Sequence, residues 1–174
     1  MAGILTRRFS PIEFATVMLI LSIVVYAMAS RLLRYFEVAE KAAMTISVLD
    51  VERGIRVRLA MAAMGGNAAE AEKLQTVNPF EFARAVPPNY LGELGGGADV
   101  KELKPEELKP GNWFYDRDRH EIGYLPRLGS RLRTPDGKEV TVLRFRVEIV
   151  GGPNGLPHLV STFAYLWEPE FGTL

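Results

Sequence analysis

Residues 7–31 read RRFSPIEFATVMLILSIVVYAMASR, and this stretch decides the fold of the first part of the chain. Phe14 to Ser30 is a run of 17 residues without a charge. Phe9 to Ile12, on the other side of Glu13, extends the run to about 20 residues, the length that crosses a bilayer as a helix. The sequence predicts a basic leader over residues 1–8 and a transmembrane helix over residues 9–30. The leader MAGILTRR favours a cytoplasmic N-terminus.

A cleaved secretory signal is an alternative for this segment, because Ala27 to Ser30 (AMAS) imitates the small residues that precede a signal-peptidase cut. The apolar region of such a signal is shorter than this run, and helical patterning continues here beyond Ser30 without a break. We therefore expect a retained anchor.

Glu13 is the one acid within the apolar segment. Ser10-Pro11-Ile12-Glu13 has the spacing of a capping box, in which Ser10 caps the helix, Pro11 takes the first helical position and Glu13 returns to the Ser10 amide. A carboxylate within a membrane span costs about 2.5 kcal/mol or more and usually has a partner. A partner on a neighbouring molecule would make that cost a reason to assemble.

The stretch from Phe9 to Phe14, after a short basic leader and before an apolar helix, resembles the N-terminus of type IV pilins and type II secretion pseudopilins. The resemblance implies that a prepilin peptidase cuts between Arg8 and Phe9 and methylates the new amine. Glu13 would then neutralise the amine of an adjacent subunit in a filament.

The same resemblance implies other pilin or pseudopilin subunits, an inner-membrane assembly platform and membrane lipid as partners. It places the chain as a single-pass protein of the inner membrane, with its C-terminal domain in the periplasm or in a filament. Two positions differ from the family pattern, since Arg8 stands where the family has glycine and Ser30 where a proline often kinks the helix. Arg8 favours an alternative: an uncleaved, single-pass anchored scaffold protein of a secretion or envelope complex.

After Arg31 the helical pattern continues to Met64. Apolar residues recur at intervals of four, three, four, four and three, which is the stripe of an α-helix, and Gly65-Gly66 supplies a stop. The helix therefore continues over residues 31–64, with one interior glycine, Gly54. The stripe consists of Met44, Val48, Val51, Ile55, Leu59 and Ala62.

Residues 65–174 predict a soluble α+β domain. Residues 67–110 form a poorly patterned connection with a short helical candidate, NAAEAEKLQ. Period-two patterns then predict four antiparallel strands at about 112–167: a hairpin around DRDRH, the alternating TVLRFRVEI and the final HLVSTFAYLW. The stripe of the long helix would cover the apolar face of this sheet, as the pilin resemblance also implies.

We expect no catalytic site, cofactor or metal site. The chain has no cysteine, and His120 and His158 are isolated from each other in the sequence. Asp116 and Asp118 have calcium-like spacing, but Arg117 and Arg119 add positive charge, so a solvated turn is expected. A net charge of zero gives no support for a nucleic-acid partner. Six strand aromatics are expected in the core: Trp113, Phe114, Tyr115, Phe163, Tyr165 and Trp167.

Overall fold

The computed structural model describes residues 10–65, 73, 75–95, 107–150 and 155–167. One helix, α1, runs from Pro11 to Met64. The boundary between two compact units falls within it, between Phe36 and Glu37. Unit 1 precedes this boundary and unit 2 follows it.

The predicted helical stripe is confirmed within unit 2. Met44, Val51 and Ile55 are among its buried residues, and Val48 packs against the core. The helix ends at Met64, where the glycine pair predicted a stop, and the Gly65 amide donates to the Met61 carbonyl at 3.0 Å. The long helix therefore follows directly from a 3.6-residue period and a glycine C-terminus.

Unit 2 contains seven strands in two sheets. The larger sheet has the order β1-β2-β3-β5-β6, with β1 parallel to β2 and every other neighbouring pair antiparallel. β4 and β7 pair antiparallel as a separate two-stranded sheet. The strands are β1 Tyr90–Leu94, β2 Asn112–Asp116, β3 Glu121–Leu125, β4 Leu132–Arg133, β5 Leu143–Val150, β6 Leu156–Ser161 and β7 Leu166–Trp167.

The prediction of a four-stranded antiparallel sheet is wrong, because the main sheet has five strands and is mixed. The β2–β3 hairpin, β5 and β6 form as predicted, but β1 adds a parallel edge strand from the supposedly irregular connection. β1 is short and contains Glu93 and Gly92, so it lacks a clear alternation. Its long connection to β2, residues 95–111, suffices for the crossover that a parallel pair requires.

The stretch HLVSTFAYLW is also divided rather than continuous. β6 ends at Ser161, and the chain bends before β7 pairs with β4. A 3-10 helix at Pro79–Glu81 lies in the connection before β1. The short helix predicted at residues 67–75 lies largely outside the described residues.

One core joins the helix to the sheet. The α1 stripe, the inward side chains of β2, β3, β5 and β6, and Phe80 form a single buried cluster. Alternation along β5 is as predicted, with Leu143, Phe145 and Val147 buried. Trp113, Phe114, Tyr115 and Trp167 are buried as expected, whereas Phe163 and Tyr165 are partly buried outside any strand.

Candidate functional site

The apolar helix begins with the contact that the S-P-I-E spacing predicts. The Ser10 amide donates to the Glu13 carboxylate (Oε2) at 3.0 Å, and the Phe14 amide donates to the Ser10 carbonyl at 3.0 Å. Pro11 is the first helical residue, where its missing N–H costs nothing. The local fold thus holds Glu13 on the first turn.

The surface of α1 over residues 14–30 has no charged residue and is largely apolar on all sides. The hydroxyls of Thr16, Ser22 and Ser30 donate to carbonyls of the preceding turn, so they are satisfied within the helix. Within the part of the chain that the structure describes, α1 is long and apolar enough to cross a membrane, and its most apolar window has no buried part. This is compatible with a single-pass anchor. Exposed apolar side chains include Ile12, Phe14, Val17, Leu19, Ile20, Ile23, Val25, Tyr26 and Met28.

The predicted processing site, Arg8 and Phe9, lies outside the described residues. Cleavage and methylation there stay predictions. Of the predicted site residues, Glu13 is the one that the structure describes, at the N-terminal turn of α1.

Two acids at the start of unit 2 have roles that the sequence analysis missed. Glu40 accepts from the Tyr124 hydroxyl at 2.8 Å, the Arg127 amide at 2.5 Å and the Leu128 amide at 2.8 Å. Glu37, which is buried, accepts from the Arg131 amide at 3.3 Å. Two acids three residues apart share a helix face, so together they hold one loop against α1.

Glu37 and the neighbouring Lys41 also contact β7, the last strand that the structure describes. Glu37 also accepts from the Trp167 indole N–H at 3.1 Å, and the Lys41 ammonium donates to the Trp167 carbonyl. Each of these polar groups is paired in a largely buried setting, where an unpaired group would be costly. The first turns of unit 2 therefore organise both the loop after β3 and the β4–β7 pair.

Glu52 contacts β6, the edge strand of the main sheet opposite β1. Sequence periodicity placed it outside the helical stripe, yet it is buried and accepts from the Leu159 amide at 2.8 Å. β6 is an edge strand, so this amide has no strand partner on that side. Glu52 thereby satisfies a donor that would otherwise mark an open sheet edge.

Asp116 belongs to an ion-pair cluster. It is 6% exposed, and its carboxylate lies 3.0 Å from the Arg144 guanidinium and accepts from the Arg119 amide at 3.2 Å. Arg144 also contacts Glu121 at 3.3 Å. The negative charge of Asp116 is therefore balanced by the Arg144 guanidinium, which explains its burial without a metal ion.

A second polar cluster lies around the 3-10 helix. The Asn78 amide donates to the Tyr90 hydroxyl and to Glu93, both at 2.8 Å, and the Tyr115 hydroxyl donates to the Thr76 carbonyl at 2.9 Å. Burial raises the pKa of Tyr90 and of Tyr115 to about 12, with Glu93 adding to both shifts. Both phenols are therefore neutral at neutral pH, where the Tyr90 hydroxyl accepts from Asn78 and the Tyr115 hydroxyl donates to Thr76.

Two clefts, each of about 350 Å³, lie between α1 and residues 82–89. Asp50 and Arg53 line both, and Trp113 lies in the wall of the first. These clefts could not be predicted from the sequence, because residues 82–89 have no periodic pattern and include Pro87-Pro88.

Comparison with known proteins identifies no relative. No protein-family model, no curated protein and no solved structure matches the chain. Function is therefore inferred from the residues and contacts described above.

Proposed function

We propose that this chain is a pilin-like structural subunit, a minor pilin or pseudopilin, of a type IV pilus or type II secretion filament. The observation that carries the proposal is Glu13, held on the first turn of a helix whose following apolar side chains are exposed. The helix is compatible with a membrane anchor, and unit 2 is an α+β domain built on the same helix.

In this proposal the N-terminal helices of neighbouring subunits pack side by side. Cleavage before Phe9 would create a positive amine, and Glu13 of an adjacent subunit would neutralise it. A charged carboxylate in the membrane costs about 2.5 kcal/mol or more. The Ser10 amide bonds Glu13 without neutralising its charge, so a positive amine from a neighbouring subunit would favour assembly and fix the helix register. Prepilin peptidase and an inner-membrane platform would be the partners that process and extract the subunit.

The outward face of α1 in unit 2 supports lateral packing. An apolar stripe there recurs at intervals of three or four, interrupted by Arg53, and Met64 at its end is 90% exposed. Helices that stand alone in water normally keep this face polar. A stripe that continues beyond the core-facing side is typical of a helix that packs on others. Its members are Ile46, Leu49, Val57, Met61 and Met64.

The test compares Glu13→Ala and Glu13→Gln with the native chain in cells that assemble the filament. We expect both variants to insert in the membrane at native levels and to be depleted from the sheared filament fraction at least tenfold, a loss that corresponds to about 1.4 kcal/mol of pairing. Thr16→Ala, one turn along the same helix, is the control. Native incorporation of both Glu13 variants would refute the pairing mechanism.

The mature N-terminus gives an independent readout. Intact-mass measurement of the purified chain should give a start at methylated Phe9. Retention of residues 1–8 in native material would contradict the filament route.

A second candidate is an uncleaved single-pass scaffold of a secretion or envelope complex. Arg8, in place of the glycine of the pilin family, favours it, and the 3.0 Å contact from the Ser10 amide gives Glu13 a purely local role. In that case Glu13→Gln, which keeps an acceptor for the Ser10 amide, should have almost no effect.

A further inference from the structure

The loop after β3 concentrates positive charge. Residues 126–133, here called the basic loop, comprise the connection after β3 together with the two residues of β4. They read PRLGSRLR, with three arginines and no acid in a chain whose net charge is zero. Arg127 and Arg133 are exposed, and the Arg133 guanidinium has a long contact with the Gly137 carbonyl of the next turn at 3.5 Å. The carboxylates of Glu37 and Glu40, which accept from amides of this loop, offset part of its charge, and the remaining positive charge attracts anionic surfaces.

The basic loop is fixed in place by its main chain. Its amides at Arg127, Leu128 and Arg131 donate to Glu40 and Glu37, so the loop is attached to the first turns of unit 2. These bonds go to the backbone, and they remain when a loop arginine is replaced by another side chain. The position of the loop and its charge can therefore be separated by mutation.

This attachment point lies close in the chain to the apolar segment. Glu37 follows Ser30, the last residue of the uncharged run, by seven residues. Seven residues span about 10 Å as a helix and at most about 24 Å when extended. The headgroup layer of a bilayer is roughly 5–8 Å deep on each side, and charges interact over about 8 Å beyond it at physiological salt. In a chain anchored by the apolar segment, this connection is short enough for the basic loop to contact lipid headgroups.

We propose that the basic loop binds the anionic phospholipid headgroups of the membrane that anchors the chain. The arginine guanidinium suits this role, because its planar fork of N–H donors matches phosphate oxygens. Each basic residue close to an anionic surface favours association about fivefold, so the two exposed arginines, Arg127 and Arg133, favour it about 25-fold. The inference rests on the membrane insertion of α1 in the proposed function, and its test does not require filament assembly.

The test uses the full chain in nanodiscs of phosphatidylcholine, with or without about 30% phosphatidylglycerol. The chain has no cysteine, so single-cysteine variants can carry a fluorophore quenched by headgroup-labelled lipid. Ser130→Cys reports on the basic loop. Asp118→Cys is the control, because it lies in the turn at the opposite end of β3, about 16 Å away along five strand residues. Unit 2 folding is checked by tryptophan fluorescence.

We expect quenching at Ser130→Cys to be strong in the anionic nanodiscs, to fall at about 0.5 M salt, and to be weak in phosphatidylcholine alone. Replacing Arg127, Arg131 and Arg133 by glutamine should lower the docked-to-undocked ratio about 25-fold, the contribution of the two exposed arginines. The matched control replaces Arg53, Arg84 and Arg146, changes the charge equally and should leave quenching unchanged. If the first triple variant unfolds, Arg133→Gln alone should lower the ratio about fivefold.

Three outcomes would overturn the inference. The first is equal quenching in neutral and anionic nanodiscs, and the second is an equal loss in the control triple variant. The third is extraction of the native chain from membranes by alkaline carbonate, which would also remove the anchor on which the proposed function depends. Retained insertion without lipid-charge dependence would refute the headgroup contact alone. Native filament incorporation of the Glu13 variants would refute the pairing mechanism alone.

Discussion

Gly54 is the position where a single methyl group should cost unit 2 the most. A Cβ at Gly54 would lie 1.8 Å from the Phe82 carbonyl oxygen, 2.5 Å from its carbon and 3.1 Å from the Ala83 nitrogen. All three atoms belong to main chain, so no side-chain rotation relieves the contact. The absence of a side chain at Gly54 thus allows another backbone segment to cross the middle of the helix.

The size of the effect follows from two opposing terms. A carbon and a carbonyl oxygen need about 3.3 Å, so the segment at Phe82 must move about 1.5 Å away from α1 in Gly54→Ala. Overpacking of this kind costs about 1–3 kcal/mol, and more where backbone must move, while alanine gains about 1 kcal/mol over glycine in a helix interior. We expect a net loss of about 2 kcal/mol, or about 4–8 °C in Tm.

Tryptophan fluorescence during urea unfolding measures this loss in unit 2 alone. The two tryptophans of the chain, Trp113 and Trp167, are each 2% exposed within unit 2, so the anchor does not contribute to the signal. Gly65→Ala is the matched control, because its Cβ would lie 3.4 Å from the nearest atom, the Met61 carbonyl oxygen. A Gly54→Ala protein as stable as the Gly65→Ala protein would refute the close helix–loop contact.

Two further predictions concern polar groups of unit 2. Glu40→Ala removes the acceptor of the Tyr124 hydroxyl and of the Leu128 amide, so we expect the free energy of unfolding measured in urea to fall by about 2 kcal/mol. Glu40→Gln should lose less, because it keeps one acceptor oxygen. An alanine variant as stable as the native chain would contradict this. The neutral phenols of Tyr90 and Tyr115 are favoured in the folded state, so their stabilising effect is complete below about pH 10 and disappears as the pH rises through about 12. Urea midpoints that fall over this range, together with late tyrosinate absorbance, would confirm the shifts, and a midpoint independent of pH there would contradict them.

The sequence predicted those elements whose residues form a strong period. The α1 stripe was read from repeated intervals of three and four, and Leu143, Phe145 and Val147 alternate along β5 with few exceptions. The hairpin between β2 and β3 was marked by a polar turn between two aromatic strands. In each case the buried face is visible in the sequence because apolar side chains lie on the side that packs against the core and polar side chains on the side that faces water.

The sequence did not predict elements whose stability comes from contacts with distant residues. β1 has five residues, including Gly92 and Glu93, and it is held by pairing with β2 rather than by its own pattern. Glu37, Glu40 and Glu52 are buried or half-buried on α1, although an acidic side chain by itself predicts exposure to solvent. Each of them accepts from at least one main-chain amide, a partner that no residue type in the sequence reveals. A local signal existed only in the i, i+3 spacing of Glu37 and Glu40.

The two proposals for this chain are linked through the location of unit 2. A basic loop bound to headgroups holds unit 2 at the membrane, whereas a filament subunit must leave the lipid when its helix joins a neighbour through Glu13. Because one chain cannot occupy both states, lipid that binds the first state opposes the second by mass action. Exposed arginines that favour the lipid-bound state about 25-fold would be offset by Glu13 pairing and by burial of the outward apolar face of α1, which consists of Ile46, Leu49, Val57, Met61 and Met64. The arginines of the basic loop would thus keep unassembled subunits at the membrane until these helix contacts form.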